Sequence, residues 1–238
     1  MKQPLTVITG ADRGIGLELA RQFCENGHKL LLVSGNDLVF EVQEDLTDQG
    51  YTVEAVKVNI GTYSGIENLY QQILKQDDLL DNLVINTQEG RGGDFSETDL
   101  KEEIDLININ LISTVHLMKR LVPIMRTRGD GKIMITSIAP FPYEAVYDAQ
   151  IAFLSSFADT IRSEVRNFNV GVTLLVPEAG SEAKLESDLT EVAKLSYEAM
   201  MAGREKVFSG SILAKLQGVA MKLLPEKTRM DLMKTIHH

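Results

Sequence analysis

The residues richest in chemical possibility lie together near the start of the chain, in Thr9-Gly10-Ala11-Asp12-Arg13-Gly14-Ile15-Gly16. They follow a short apolar run and precede an amphipathic one. Glycines at such a place let the backbone turn tightly. They also let a pyrophosphate approach the N-terminus of the next helix, where free N–H groups and the helix dipole favour anions. The same glycines suit a turn that only packs helix on strand, so a nucleotide cradle and a plain packing turn both stand as readings. Other reactive types are sparse. Cys24 falls on an apolar helix face and is expected to be an inert buried thiol. His28 follows Gly27 at a helix end and is expected to interact with the dipole there. His116 lies within a long helical run and reads as a core residue. No His, Asp, Glu or Cys cluster has metal-ligand spacing, so no metal site is expected.

The elements that must position the loop follow from apolar periodicity. Short runs rich in Val and Ile alternate with longer amphipathic stretches. Strands are expected over 5–9, 30–33, 53–58, 83–85, 132–136 and 170–176, and helices over 14–26, 37–49, 64–75, 100–125 and 147–168. Strands that are apolar on both faces are buried on both faces, which requires parallel βαβ units with helices on each side. Right-handed crossovers then place a ligand crevice at the carboxyl ends of the strands. The fold class is α/β, a doubly wound parallel sheet (Rossmann-like) with helices on both faces and a helical C-terminal tail. Residues 1–238 read as a single Rossmann-type domain, with 190–238 as its helical extension. Within it, 178–188 reads as a polar surface loop, 195–203 as a helix, and Lys206-Val207-Phe208 as a short edge strand. Apolar residues from Ile212 to Leu224 recur at helical spacing until Pro225 stops them. That tail helix is expected to pack on its own domain or a twin subunit in preference to a membrane surface.

Composition excludes several classes. The 238 residues carry 24 basic and 34 acidic side chains, a formal charge of −10, with 44% hydrophobic and 24% charged residues. That is ordinary globular make-up, unlike a disordered chain. A pI of about 4.9 argues against nucleic-acid binding, because phosphate contacts need surplus Lys and Arg. One cysteine excludes a disulfide framework. No secretory leader or membrane-spanning apolar run is read, so a cytoplasmic location is expected.

With its glycine pattern T-G-x-x-x-G-x-G directly after the first strand, the sequence resembles the short-chain dehydrogenase/reductase family. The likeness extends through Asn110 in Ile107-Asn108-Ile109-Asn110-Leu111, through Pro123 and Met125, through Gly131-Lys132-Ile133-Met134-Ile135-Thr136-Ser137, and through Tyr147 followed by Ala149. The resemblance implies hydride transfer between a nicotinamide and a carbonyl or alcohol. It implies Tyr147 as general acid/base, Ser137 holding the substrate oxygen, and Asn110 positioning a proton-relaying water. It places the phosphates on the loop from Gly10 to Gly16, with Asp12, Arg13, Gly14 and Ile15 in it, and assigns Asn59 and Asn86 to the cofactor path.

The sequence also departs from the family pattern. The family's lysine, four residues after the tyrosine, lowers the phenol pKa and grips the nicotinamide ribose; here that position is Ile151. Gln150 is uncharged and about 100° away around the helix from that position, so it is a poor substitute for the lysine. The family's Asn-Asn-Ala-Gly appears as Ile85-Asn86-Thr87-Gln88, its adenine-side aspartate as Asn59, and its Pro-Gly as Pro177-Glu178. At the end of the second strand, Ser34-Gly35-Asn36 offers no aspartate for a ribose 2′-hydroxyl. That disfavours NAD, while Arg13 reads either as a partner for a 2′-phosphate or as a solvated surface arginine, so NADP is the expected dinucleotide if one binds. Two functions follow. One is an NADP-linked oxidoreductase with impaired catalysis on an unidentified small molecule, expected to be a homo-oligomer. The other is a non-catalytic descendant of the fold serving as a binding or assembly module, with Ser137, Tyr147 and Asn110 kept only for local structure.

Overall fold

Alternation of apolar side chains along each strand is what organises the molecule. In a computed structural model, which describes residues 4–76, 79–86, 93–136, 145–177 and 186–209, odd-numbered residues of the first strands pack on one side of a sheet and even-numbered residues on the other. The elements run β1 (Leu5–Thr9), α1 (Gly14–Glu25), β2 (Lys29–Ser34), α2 (Leu38–Asp48), β3 (Val53–Lys57), α3 (Tyr63–Leu74) and β4 (Leu80–Asn86). They continue as α4 (Leu100–Ile107), α5 (Ser113–Arg128), β5 (Gly131–Thr136), α6 (Ala145–Val165), β6 (Val170–Pro177), α7 (Glu186–Met201) and β7 (Lys206–Ser209). All seven strands are parallel, in the order β3-β2-β1-β4-β5-β6-β7. Leu5, Val7, Leu31, Val33, Leu83 and Ile85 join α3, α5 and α6 in one core. Ile8, Leu30, Leu32, Val84 and Met134 join α1, α2 and α7 in the other. The expected doubly wound sheet is the fold found, and the short strand at 206–208 is its edge.

Two boundaries differ from the periodicity reading. The helix expected over 100–125 is interrupted by a π-helical turn, Asn108–Ile112, and then runs on to Arg128. Ser113 Oγ donates to the Ile109 carbonyl, and Thr114 Oγ1 to that of Asn110 at 2.7 Å. These hydroxyls take carbonyls from the regular ladder, a local cause for the extra residue in the turn. The helix expected over 195–203 begins at Glu186, so the end of the predicted loop at 178–188 is helical. Its buried residues are Ala193, Ser196, Ala199 and Met200, and the helix lies on α1.

One side chain fixes the placement of α6. Arg162 donates from Nε to the Val172 carbonyl (2.9 Å) and from Nη2 to the Glu205 carbonyl (2.9 Å), and it pairs with Asp159 at 2.7 Å. Lys206 reaches the other oxygen of Asp159 at 3.1 Å. The far end of α6 is thereby tied to β6 and β7, which sets where its first turn, carrying Tyr147, meets the sheet. The tail expected to be helical from Ile212 lies outside the described residues.

Candidate functional site

Strand order reverses direction between β1 and β4, so the chain leaves these neighbours toward opposite sides and opens a crevice at their carboxyl ends. A cavity of about 660 Å³ occupies it, lined among others by Gly10, Arg13, Ser34, Lys57, Asn59 and Asn86. The glycine loop forms its floor. Gly10 and Gly14 adopt φ of +58° and +57°, a region that favours glycine. A Cβ on Gly16 would collide with the Gly10 carbonyl and the Asn86 amide nitrogen. Arg13 stands at the N-cap of α1 with no side-chain cap bond, so no capping side chain takes the first N–H groups of that helix. Ile15 turns its side chain into the core and offers the crevice only backbone.

Asn86 ties three strand ends together. Its Nδ2 donates to the Gly10 carbonyl (2.9 Å), its Oδ1 accepts from Thr136 Oγ1 (2.7 Å), and its backbone N–H donates to Thr9 Oγ1 (2.9 Å). Asp12 does similar work at the loop's outer side. Ser34 Oγ donates to its carboxylate at 2.8 Å, and the carboxylate is only 7% exposed, which ties the loop to the end of β2. Arg13 is 72% exposed and its Nε lies 3.9 Å from Asp12, which leaves the guanidinium at the mouth of the cavity. Asn59 uses Oδ1 to accept from the Gly61 N–H (2.9 Å) in a tight turn before α3, while its residue still lines the cavity.

The sequence reading passed over Lys57 and Asp37. They pair at 2.7 Å on the cavity wall, one from the end of β3 and the other from the start of α2. A lysine closing a strand looks like a solvated charge; only the β2–β3 pairing, Ser34 opposite Lys57, brings it beside the glycine loop.

At the other end of the crevice, Asn110 lies in the π turn and is 1% exposed. Tyr147 lies near the start of α6 and is 4% exposed, and α6 packs on the π turn, so these two expected site residues belong to adjoining elements. Ile151 is half-buried, whereas Gln150 is sealed in on the same face as Tyr147. Ser137, Gln88 and Glu178 lie outside the described residues.

The weaker candidates fall away from the crevice. Cys24 is buried, and burial pushes its thiol pKa up to about 12, which suits the inert role expected. His28 does not simply cap a helix end. Its Nδ1 lies 3.3 Å from Thr6 Oγ1 and 3.2 Å from Asn82 Nδ2, and its Nε2 lies 3.2 Å from Tyr197 Oη. His116 pairs with Glu67 at 2.6 Å and faces Tyr63, a partly buried contact between α3 and α5 in place of a plain core position. Among the described residues, no group of three or more His, Cys, Asp or Glu could hold a metal ion, and no helix is long and apolar enough to cross a membrane.

A cradle that any Cβ at Gly16 would fill and uncapped N–H groups at the start of α1 fit a dinucleotide pyrophosphate. Known proteins agree in architecture. The chain is 29% identical over 183 residues to Dehydrogenase/reductase SDR family protein 7-like of Anopheles gambiae, an alignment covering 73% of this chain and 58% of that protein. It thus spans less than two thirds of that relative's length. A metagenomic short-chain oxidoreductase crystallised with NADP superposes with a TM-score of 0.77 at 24% identity, over 86% of this chain and 96% of the other. A short-chain dehydrogenase/reductase from Burkholderia phymatum in complex with NAD gives 0.81 at 21% identity, over 94% and 96%. The model of the family described as short chain dehydrogenase matches residues 4–191, which take in the glycine loop, the asparagine of the π turn and the tyrosine of α6, and the chain belongs to that family.

Proposed function

We propose that this chain binds NADP(H) across the crevice and acts as an oxidoreductase on a carbonyl or hydroxyl compound, with acid–base catalysis weakened at Ile151. The glycine cradle carries the reading, because Gly10 and Gly16 leave room beside Asn86 that side chains would fill, and Gly14 takes a left-handed φ of +57° at the start of α1. The N–H groups at the start of α1 hold the pyrophosphate. Arg13, with Lys57 behind it, receives the 2′-phosphate, and Ser34-Gly35-Asn36 offers no acid to a free 2′-hydroxyl. Asp12, Asn59 and Asn86 keep the cradle in shape through the bonds described above. A relative of the same fold was crystallised with NADP, which supports this choice, and another with NAD keeps the alternative cofactor testable.

When bound, the nicotinamide supplies or accepts the hydride. Tyr147 donates the proton from its phenol oxygen during carbonyl reduction, Ser137 holds the substrate oxygen, and Asn110 holds the water that returns the proton. An ordinary phenol, with a pKa of about 10, stays protonated at pH 7, so its proton is available for reduction but is given up with weak driving force. Ile151 supplies no positive charge to change that. General acid–base catalysis contributes ~10²–10⁴ in rate, so turnover is slow. The test follows NADPH absorbance against a panel of aldehydes and ketones. Slow oxidation that disappears in Tyr147→Phe supports the reading; turnover that Tyr147→Phe leaves intact contradicts it.

A second reading is favoured by the same aliphatic at position 151: a non-catalytic descendant that binds or assembles through its long helices and tail. NADPH binding without turnover on any of the panel would favour it. In either case the expected assembly is a homo-oligomer, supported by Ile104, Ile112 and Phe153, which are exposed on the long helices. A cytoplasmic location and a small-molecule substrate complete the proposal.

A further inference from the structure

Asp12 lines the cavity one residue before Arg13, and its side chain is only 7% exposed. Oδ1 accepts from Ser34 Oγ at 2.8 Å, and that hydroxyl in turn accepts from the Asn36 N–H at 3.1 Å. The carboxylate therefore stands against the last residue of β2, the strand end where dinucleotide folds meet the ribose 2′ position. Oδ2 lies 3.9 Å from Arg13 Nε, too far for a hydrogen bond but close enough for the charges to attract. Among the described residues, the charged side chains lining the cavity are Asp12, Arg13, Asp37 and Lys57, two of each sign. Asp37 is matched by Lys57 at 2.7 Å and is 75% exposed, so water and salt screen it. Asp12 is enclosed, and its charge acts along the wall with less screening.

We propose that Asp12 is a specificity-determining residue, whose carboxylate opposes a 2′-phosphate and holds the preference for NADP(H) over NAD(H) to a modest ratio. The inference rests on the dinucleotide reading above. A 2′-phosphate arriving beside Arg13 meets the Asp12 carboxylate as a like charge and competes with it for the guanidinium. A free 2′-hydroxyl carries no charge and meets no such penalty. The side chain that braces the loop to β2 thus weakens the discrimination that Arg13 and Lys57 create.

The test compares wild type with Asp12→Asn by calorimetry. The amide keeps an oxygen to accept from Ser34 and removes only the charge. NADPH should bind the variant about tenfold more tightly, the effect of losing one like charge near the phosphate. NADH should bind both proteins equally. Adenosine 2′,5′-bisphosphate and adenosine 5′-monophosphate, which differ only in the 2′-phosphate, should show the same contrast and so place the effect at this end of the crevice. A residue that only braces the loop would shift both members of each pair together. An equal shift for the two cofactors therefore overturns the proposal, and so does an NADPH/NADH ratio that falls. If Asp12→Asn does not fold, Asp12→Ser, which also removes the charge and keeps a polar group, is read by the same criteria. Wild type that binds both cofactors, with a ratio the substitution leaves unaltered, overturns the role of Asp12 while the cradle stands. Wild type that binds neither overturns the dinucleotide reading, and this proposal with it.

Discussion

At the β1–β2–β3 end of the crevice, Asn86 ties Gly10 to Thr136, Ser34 ties Asp12 to β2, and Lys57 meets Asp37 across the wall. At the α6 end, Tyr147 and Asn110 are sealed in, Gln150 is buried with both amide atoms unmatched, and an aliphatic stands where the family places an ammonium. The phosphate-facing part of the first end is backbone, glycine conformations and helix N–H groups, braced by the side chains of Asn86, Asp12 and Ser34. Such a cradle is fixed by the fold and changes only with it. The second end relies on individual side chains, and one substitution there removes a charge without disturbing the sheet. Holding a dinucleotide and transferring a proton are thus separable tasks, and the proposed function assigns the first to the glycine cradle and weakens the second at Ile151.

Gly16→Val attacks the first end where it has no slack. The added side chain meets the Gly10 carbonyl and the Asn86 amide, so the loop must open. The expected outcome is loss of dinucleotide binding together with about 3 kcal/mol of stability, read by calorimetry and thermal unfolding. A variant that binds and melts like wild type would break the contrast. Ile151→Lys sharpens it from the other side. Returning the ammonium should strengthen dinucleotide binding about tenfold and raise reductase turnover by roughly 10², with the alkaline limb of the pH–rate profile shifted downward. If affinity does not change, Gln88 and Glu178 matter more than the lost lysine.

A smaller effect separates the two cofactors. Arg13→Ala should weaken NADPH binding about tenfold and leave NADH unchanged. Asp37→Asn, which frees Lys57, should tighten NADPH by about threefold with the same indifference to NADH. Equal changes for both cofactors would place the 2′-phosphate elsewhere.

The smallest effect lies outside the crevice, at the opposite end of the sheet. His28 sits among Thr6, Asn82 and Tyr197, and burial, with Lys132 nearby, holds its imidazole pKa below the ordinary 6.5. The unfolded chain then binds the proton more readily than the folded one. The contribution to stability is complete above pH about 6.5 and is lost as pH falls below it. Melting temperature should therefore drop between pH 6.5 and 5, and drop less in His28→Gln. Identical slopes would remove the histidine from the account.

Much of this architecture was legible in the sequence because its determinants are local. Short continuous runs of Val, Ile and Leu mark the strands, and Gly10, Gly14 and Gly16 mark the turn into α1. The rest depends on contacts between distant residues. The π turn needs hydroxyls at Ser113 and Thr114 to take carbonyls at Ile109 and Asn110, and apolar spacing does not register one extra residue in a turn. The start of α7 hides because Ala193 and Ser196, two of its buried residues, lack the bulk that makes a stripe visible, and a polar run precedes them. Lys57 enters the site through strand pairing, and Asp12 becomes a brace only when Ser34 arrives from 22 residues away. Gln150 looks like any polar helix residue until the packing of α6 seals it.

Titrating the wild-type chain with NADPH and NADH by calorimetry tests the central claim most directly. The account predicts saturable binding of NADPH in the micromolar range and weaker binding of NADH, both lost in Gly16→Val. No heat from either cofactor at millimolar concentration would contradict it, because a cradle intact in its backbone would then hold no dinucleotide.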